Sequence, residues 1–234
     1  MKRIAMWSGP RNLSTAMMYA FGNRADTSAM DEPFYAAFLK HSGVQHPMHQ
    51  EIRSKCNADP TKVAAACANP NAGKPISYQK HMCHHMLPEF PLDWARHCTN
   101  VFLIRHPSRV VASYAKKYPP EFRDLGFERQ VELFRELNGQ IVIDSADIRA
   151  NPKPMLEKLC AKLEIPFDPA MLTWPAGPKV FDGIWASHWY GEVHRSSGFA
   201  GPEGPLPDLP VELASLYEKA MPYYEEMKAL AISP

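Results

Sequence analysis

The sequence predicts a three-layer α/β domain with a central parallel sheet, and three observations carry that prediction. Asn100–Ile104 and "QIVI" (140–143) are nearly unbroken apolar runs, the composition of strands buried on both faces. Short apolar runs alternate with helical stretches along most of the chain. At "MWSGPRNLSTAMM", Met6–Met18, an apolar run enters a tight polar turn and leaves it as an Ala/Met-rich helix. That is the layout of a phosphate-binding loop.

The elements follow in order. Ile4–Trp7, Thr27–Met30, Ile76–Tyr78, Asn100–Ile104 and Gln140–Ile143 are predicted strands. Ser108–Lys117, after Pro107, and Glu121–Leu137 are predicted helices. Asn151-Pro152 starts another, because Asn caps and Pro suits a first turn. Its Leu156, Leu159, Cys160 and Leu163 fall on one face. Residues 41–74 read as a helical insertion. Residues 167–210, dense in Pro, Gly, Trp and His, read as an ordered aromatic cover over the site. The whole of 1–234 is expected to be one domain, long enough to close a core without disulfides or metal.

Composition narrows the function. The formal net charge is +1, so neither a nucleic-acid nor a membrane partner is expected, and an anion site must come from local clustering. The five cysteines are scattered and form no Cys-x-x-Cys pair, which points to reduced thiols and a cytoplasmic location. The apolar run in "MKRIAMWSG" is too short for a signal peptide, and no segment approaches the roughly 20 apolar residues of a spanning helix.

In the turn Pro10-Arg11-Asn12-Leu13-Ser14-Thr15, backbone N–H groups at a helix start, two hydroxyls and the Arg11 cation suit an anion. ATP-binding loops carry Gly-Lys before the Ser/Thr, and here Leu13 stands there instead. In "VFLIRHPSRVVASYAKK", Arg105 ends a buried strand, where open α/β sheets bind ligands, and Ser113 lies in the next helix. A third stretch, "VIDSADIRANP", joins a strand, an acidic pair and a helix start.

Together these resemble the sulfotransferases that use 3′-phosphoadenosine 5′-phosphosulfate (PAPS) as co-substrate, without a metal, on a P-loop-like topology. The resemblance implies that Pro10–Thr15 holds the 5′-phosphosulfate and that Arg105, Pro107 and Ser113 grip the 3′-phosphate, with Ala146-Asp147-Ile148 in the place of a Glu-Asp-Leu element. Asp31-Glu32-Pro33 and Trp189-Tyr190…Ser196-Ser197-Gly198-Phe199 are similar to a bacterial branch of that family. The chain departs from it where Leu13 replaces a Gly, Asn12 a Ser, and Ala146-Asp147-Ile148 a Glu-Asp-Leu.

The implied function is sulfuryl transfer to a hydroxyl or amine of a small-molecule acceptor, with Arg11 catalytic. Transfer needs a group to take the acceptor's proton. Glu32, after the second strand, is the first candidate, and His81 and His84 in "YQKHMCHH" are weaker ones. His81, Cys83, His84 and His85 match no common zinc spacing, so no metal is expected. Trp185 and Trp189 are candidates to stack on adenine, to wall the acceptor pocket, or simply to pack the cover. Arg195, Ser196 and Ser197 are candidates to complete the 3′-phosphate site. Two other readings stay open: a P-loop kinase, with Asp144 as its Mg²⁺ carboxylate, and a catalytically silent nucleotide-binding protein.

Overall fold

Ile4 and Met6 project to one face of the first strand, Ala5 and Trp7 to the other, and this alternation builds two hydrophobic cores around one sheet. The computed structural model describes residues 1–70, 73–139 and 141–234. The elements run β1 (Lys2–Ser8), α1 (Ser14–Gly22), β2 (Thr27–Asp31), α2 (Tyr35–Ser42), α3 (His49–Lys55), α4 (Pro60–Ala68) and β3 (Ile76–Met82). They continue with β4 (Thr99–Ile104), α5 (Pro107–Ala115), α6 (Phe122–Leu125), α7 (Phe127–Glu136) and β5 (Ile141–Asp144). The chain closes with α8 (Ser145–Ala150), α9 (Pro152–Lys162), α10 (Ala186–Trp189), α11 (Gly191–His194) and α12 (Val211–Lys228).

The five strands lie in the order β2-β3-β1-β4-β5, every pair parallel. Helices α1 and α9 cover the face of Ile4, Met6, Val101 and Leu103. The face of Trp7, Phe102 and Ile104 is closed by α4, α7 and Met227 of α12. The chain leaves β1 toward one edge and β4 toward the other, so a crevice opens between their carboxyl ends, the usual ligand position in such sheets.

The α/β class holds, and each predicted strand is present, with β3 running on to Met82. Gln140, predicted to begin the fifth strand, lies outside the described residues. The predicted helix Glu121–Leu137 is two helices, because Gly126 at φ 72° breaks it. The 41–74 stretch holds α3 and α4, and its residues 71–72 lie outside the described residues. No helix among the described residues is long and apolar enough to cross a membrane.

Candidate active site

The turn after β1 brings its backbone close to what surrounds it. A Cβ on Gly9 would lie 2.5 Å from the Leu125 carbonyl oxygen, so this position needs glycine. Arg11 and Leu13 take left-handed backbone, φ 62° and 72°. Leu13 is the N-cap of α1 and packs its side chain on the core. A residue without Cβ costs least at that φ, which explains why glycine suits the position in related loops. Asn12 is buried and donates to the Leu103 carbonyl at 3.2 Å, while its own Oδ1 has no partner. The first-turn N–H groups of α1 have no acceptor inside the helix, and Ser14 and Thr15 stand beside them. Arg11 donates through Nε to Ser113 Oγ at 2.9 Å. Burial, then the nearby Arg105, lowers the Arg11 pKa, which favours an anion beside it.

Residues 10–15, Glu32, His84 and Arg105 line one cleft of about 250 Å³. Arg105 follows β4 and donates to the Arg11 carbonyl at 2.7 Å and to Glu203. Glu203 also receives Arg109 at 2.7 Å and Arg149 at 2.8 Å.

Opposite the turn sits a buried charge cluster. Lys80 Nζ lies 3.0 Å from Asp31 Oδ1, 2.5 Å from Glu32 Oε1 and 2.5 Å from the Tyr190 hydroxyl. Tyr190 donates to Asp31 at 2.8 Å and accepts from Trp185 Nε1 at 3.1 Å. Burial and the adjacent Asp31 raise the Glu32 pKa above the usual carboxylate range, although Lys80 opposes them. Two carboxylates around it hold Lys80 charged despite its burial. Glu32 is itself at φ 38°.

The histidines divide. His84 lines the cleft with an unpartnered Nδ1, and burial pushes its imidazole down to about 3. It also lines a second cavity of about 300 Å³, floored by Phe38, Leu87 and Phe127. His81 is not brought to the main cleft. It pairs with Trp7 across the β1–β3 ladder, stacks on it at 4.6 Å, and bonds to Gln79. Strand alternation sends Lys80 to the cleft and His81 into the opposite core.

The cover is divided as well. Trp189 lines the cleft, and Trp185 packs into the core. Arg195 pairs with Glu192 on the surface, and Ser196 bonds Trp174, so neither lines the cleft; Ser197 lies outside its lining too, its carbonyl bonded to the Trp174 N–H. Sequence reasoning missed His46, Arg109, Arg149 and Glu203 as residues of this region, and gave Lys80 and Tyr190 no role in it. Lys80 carried a signal, a lysine inside an otherwise buried strand. Glu203 carried none, because only the tertiary fold brings it to Arg105.

The parallel α/β sheet thus carries a turn with free helix-start N–H groups, basic groups at the β1/β4 crevice and a buried carboxylate around one cleft. The chain belongs to the sulfotransferase domain family, which it matches over residues 1–231. It is 36% identical over 230 residues to branched-chain-amino-acid aminotransferase-like protein 1 of Arabidopsis thaliana, covering 97% of this chain and 41% of that protein. The chain thus spans about two fifths of that relative's length. Its fold matches the sulfotransferase domain from the curacin biosynthetic pathway, with a TM-score of 0.56 at 16% identity over 94% of this chain and 97% of the other. It also matches a sulfotransferase from Alicyclobacillus acidocaldarius, with a TM-score of 0.56 at 11% identity over 98% and 95%.

Proposed function

We propose that this chain transfers a sulfuryl group from PAPS to a hydroxyl or amine of a small-molecule acceptor. The observation that carries the reading is one cleft shared by the anion turn, Arg105 and the buried carboxylate of Glu32. The free first-turn N–H groups and Arg11 fit a phosphosulfate. Arg11, Ser14 and Thr15 bind the 5′ end and stabilise charge on the bridging oxygen as it leaves. The acceptor heteroatom forms its bond to sulfur while the bond from sulfur to the 5′-phosphate oxygen breaks, and the acceptor proton passes to Glu32. A raised pKa makes Glu32 a more effective proton acceptor near neutrality than an ordinary surface carboxylate. Lys80 and Tyr190 orient it. The second cavity behind His84 gives an acceptor's apolar part somewhere to lie.

The kinase reading is weakened at its metal ligand. Asp144 is buried and engaged by Tyr224, Lys228 and the Ala146 N–H. Calorimetric titration with 3′,5′-adenosine bisphosphate (PAP), the product left by PAPS, against ATP with Mg²⁺ tests the proposal. Selective binding of PAP in the micromolar range or tighter is the expected result. Preference for ATP restores the kinase, and PAP binding without transfer to any acceptor means a silent nucleotide-binding protein.

A further inference from the structure

Glu203 is the one buried side chain in an otherwise exposed strap. Gly201, Pro202, Gly204, Pro205 and Leu206 around it all face solvent, whereas its carboxylate is 4% exposed. Three guanidiniums hold it: Arg105 and Arg149 at Oε1, and Arg109 at Oε2. Arg149 and Arg109 also donate to the carbonyls of Gly201 and Gly204, so the strap is fixed by the same three arginines and little else.

This arrangement is poorly matched to a carboxylate. Three cations meet one negative charge, leaving two charges over. Asp144 and Asp147, at the end of β5 and on α8, are taken by Lys228. Arg105 Nε and Glu203 Oε2 are buried without a well-aligned hydrogen-bond partner. A tetrahedral dianion offers three oxygens and twice the charge, and guanidinium forks bind such groups in pairs of hydrogen bonds. Arg105 and Arg149 both reach the wall of the cleft, as does Ala200 at the root of the strap.

We propose that Arg105, Arg109 and Arg149 form a phosphate-monoester site that Glu203 fills as an internal anion, and that the 3′-phosphate of the nucleotide displaces the strap. The proposal rests on the nucleotide reading above for the identity of the displacing ligand. It adds Arg109 and Arg149 to the binding groups and makes Glu203 a competitor. Only a nucleotide carrying the extra phosphate opens the strap, so the device selects against 5′-AMP and other nucleotides without a 3′-phosphate. The strap's glycines meet nothing within 4 Å of a Cβ, so its release breaks little packing.

Two measurements on the intact chain test this. In the wild-type protein, saturating PAP should accelerate cleavage of the Glu203–Gly204 bond by a glutamate-specific protease at least tenfold, and 5′-AMP should not. In Glu203→Gln, PAP should bind at least tenfold more tightly while 5′-AMP affinity stays the same, and Arg109→Ala or Arg149→Ala should weaken PAP alone. PAP binding that leaves the strap protected and is no tighter in Glu203→Gln overturns the proposal and leaves the nucleotide reading standing. Should PAP bind neither protein, the nucleotide reading falls. Titration of Glu203→Gln with inorganic phosphate then judges the arginine site: saturable binding that Arg149→Ala abolishes supports it, and no binding overturns it.

Discussion

Arg11, Leu13 and Glu32 all hold left-handed backbone on the wall of the cleft, at a cost of about 1 to 3 kcal/mol each for residues with a Cβ. Such strain persists where the surroundings fix it, and here it aims one cation and one carboxylate across the same space. Replacing Arg11 with Ala should lower sulfuryl transfer by roughly 100-fold or more, as loss of a preorganised charge donor does. Its removal leaves Ser113 half-exposed rather than stranded, so the melting midpoint should stay within a few degrees; unchanged turnover in a PAPS assay would sink the role. Glu32→Gln separates catalysis from binding. The amide keeps an acceptor for Lys80 Nζ but cannot take the acceptor's proton, so turnover should drop by about 100-fold or more. PAP affinity by calorimetry should be unchanged, and a fall in both would make Glu32 a binding group instead. At this scale the turn was legible, because Gly9, Arg11, Ser14 and Thr15 are local in sequence. The burial of Lys80 between two carboxylates was not, since it depends on which way β3 faces its neighbours.

The Tyr190 hydroxyl is the most connected tie between the aromatic cover and the sheet, beside the bond from the Gly183 N–H to Asp31. Tyr190 bonds Asp31, Lys80 and Trp185, joining the cover to the ends of β2 and β3. Tyr190→Phe keeps the ring's packing and removes all of these bonds, leaving Lys80 and Asp31 short of partners at a cost of about 1 to 3 kcal/mol. The expected result is a cover cleaved faster by protease between residues 173 and 200, a raised acceptor KM, and unchanged cleavage elsewhere. Equal protection of the cover would show that its remaining bonds, among them Gly183 N–H to Asp31 and Tyr19 to Asp182, together with packing, retain it. Elements with regular periodicity were the readable ones. Leu213, Leu216, Ala220, Tyr224 and Met227 repeat at helical spacing and mark α12, a signal that the reading of the sequence passed over. The break at Gly126 was unreadable in the same sense. It rests on the φ of 72° at Gly126, and a glycine within a helical pattern is tolerated too often for the residue alone to mark a break.

Across the whole molecule, the two cores flanking the sheet follow from the period-two alternation of β1 and β4, and a third joins α5, α6, α7 and α12. The fold class was legible from the unbroken apolar runs of the buried strands. The aromatics of 167–210 suggested a cover over the site, but the contacts that tie it down were not legible, because Tyr190 reaches Asp31 across 159 residues and Glu203 reaches Arg105 across 98. The same closure sets a global response to acid. Burial holds His46 at about 4, His81 and His84 at about 3, and His85 well below its ordinary value. In the unfolded chain all four titrate near 6.5. Below that value the unfolded state binds protons that the folded state refuses, so stability falls as pH drops from about 6.5 toward 4, by about 1.4 kcal/mol per pH unit for each full proton. Glu32 and Asp124 act in the opposite sense. Their raised pKa values let the folded state keep protons longer than the unfolded one, which offsets part of the loss. Urea unfolding between pH 7.5 and 5 should therefore show a falling midpoint and a net uptake of roughly two to four protons at pH 5. A flat profile over that range would mean that the histidines are hydrated and charged in the folded chain. The wall that His46, His84 and His85 give the cleft, and with it the water exclusion that strengthens Arg11 and Glu32, would then be lost.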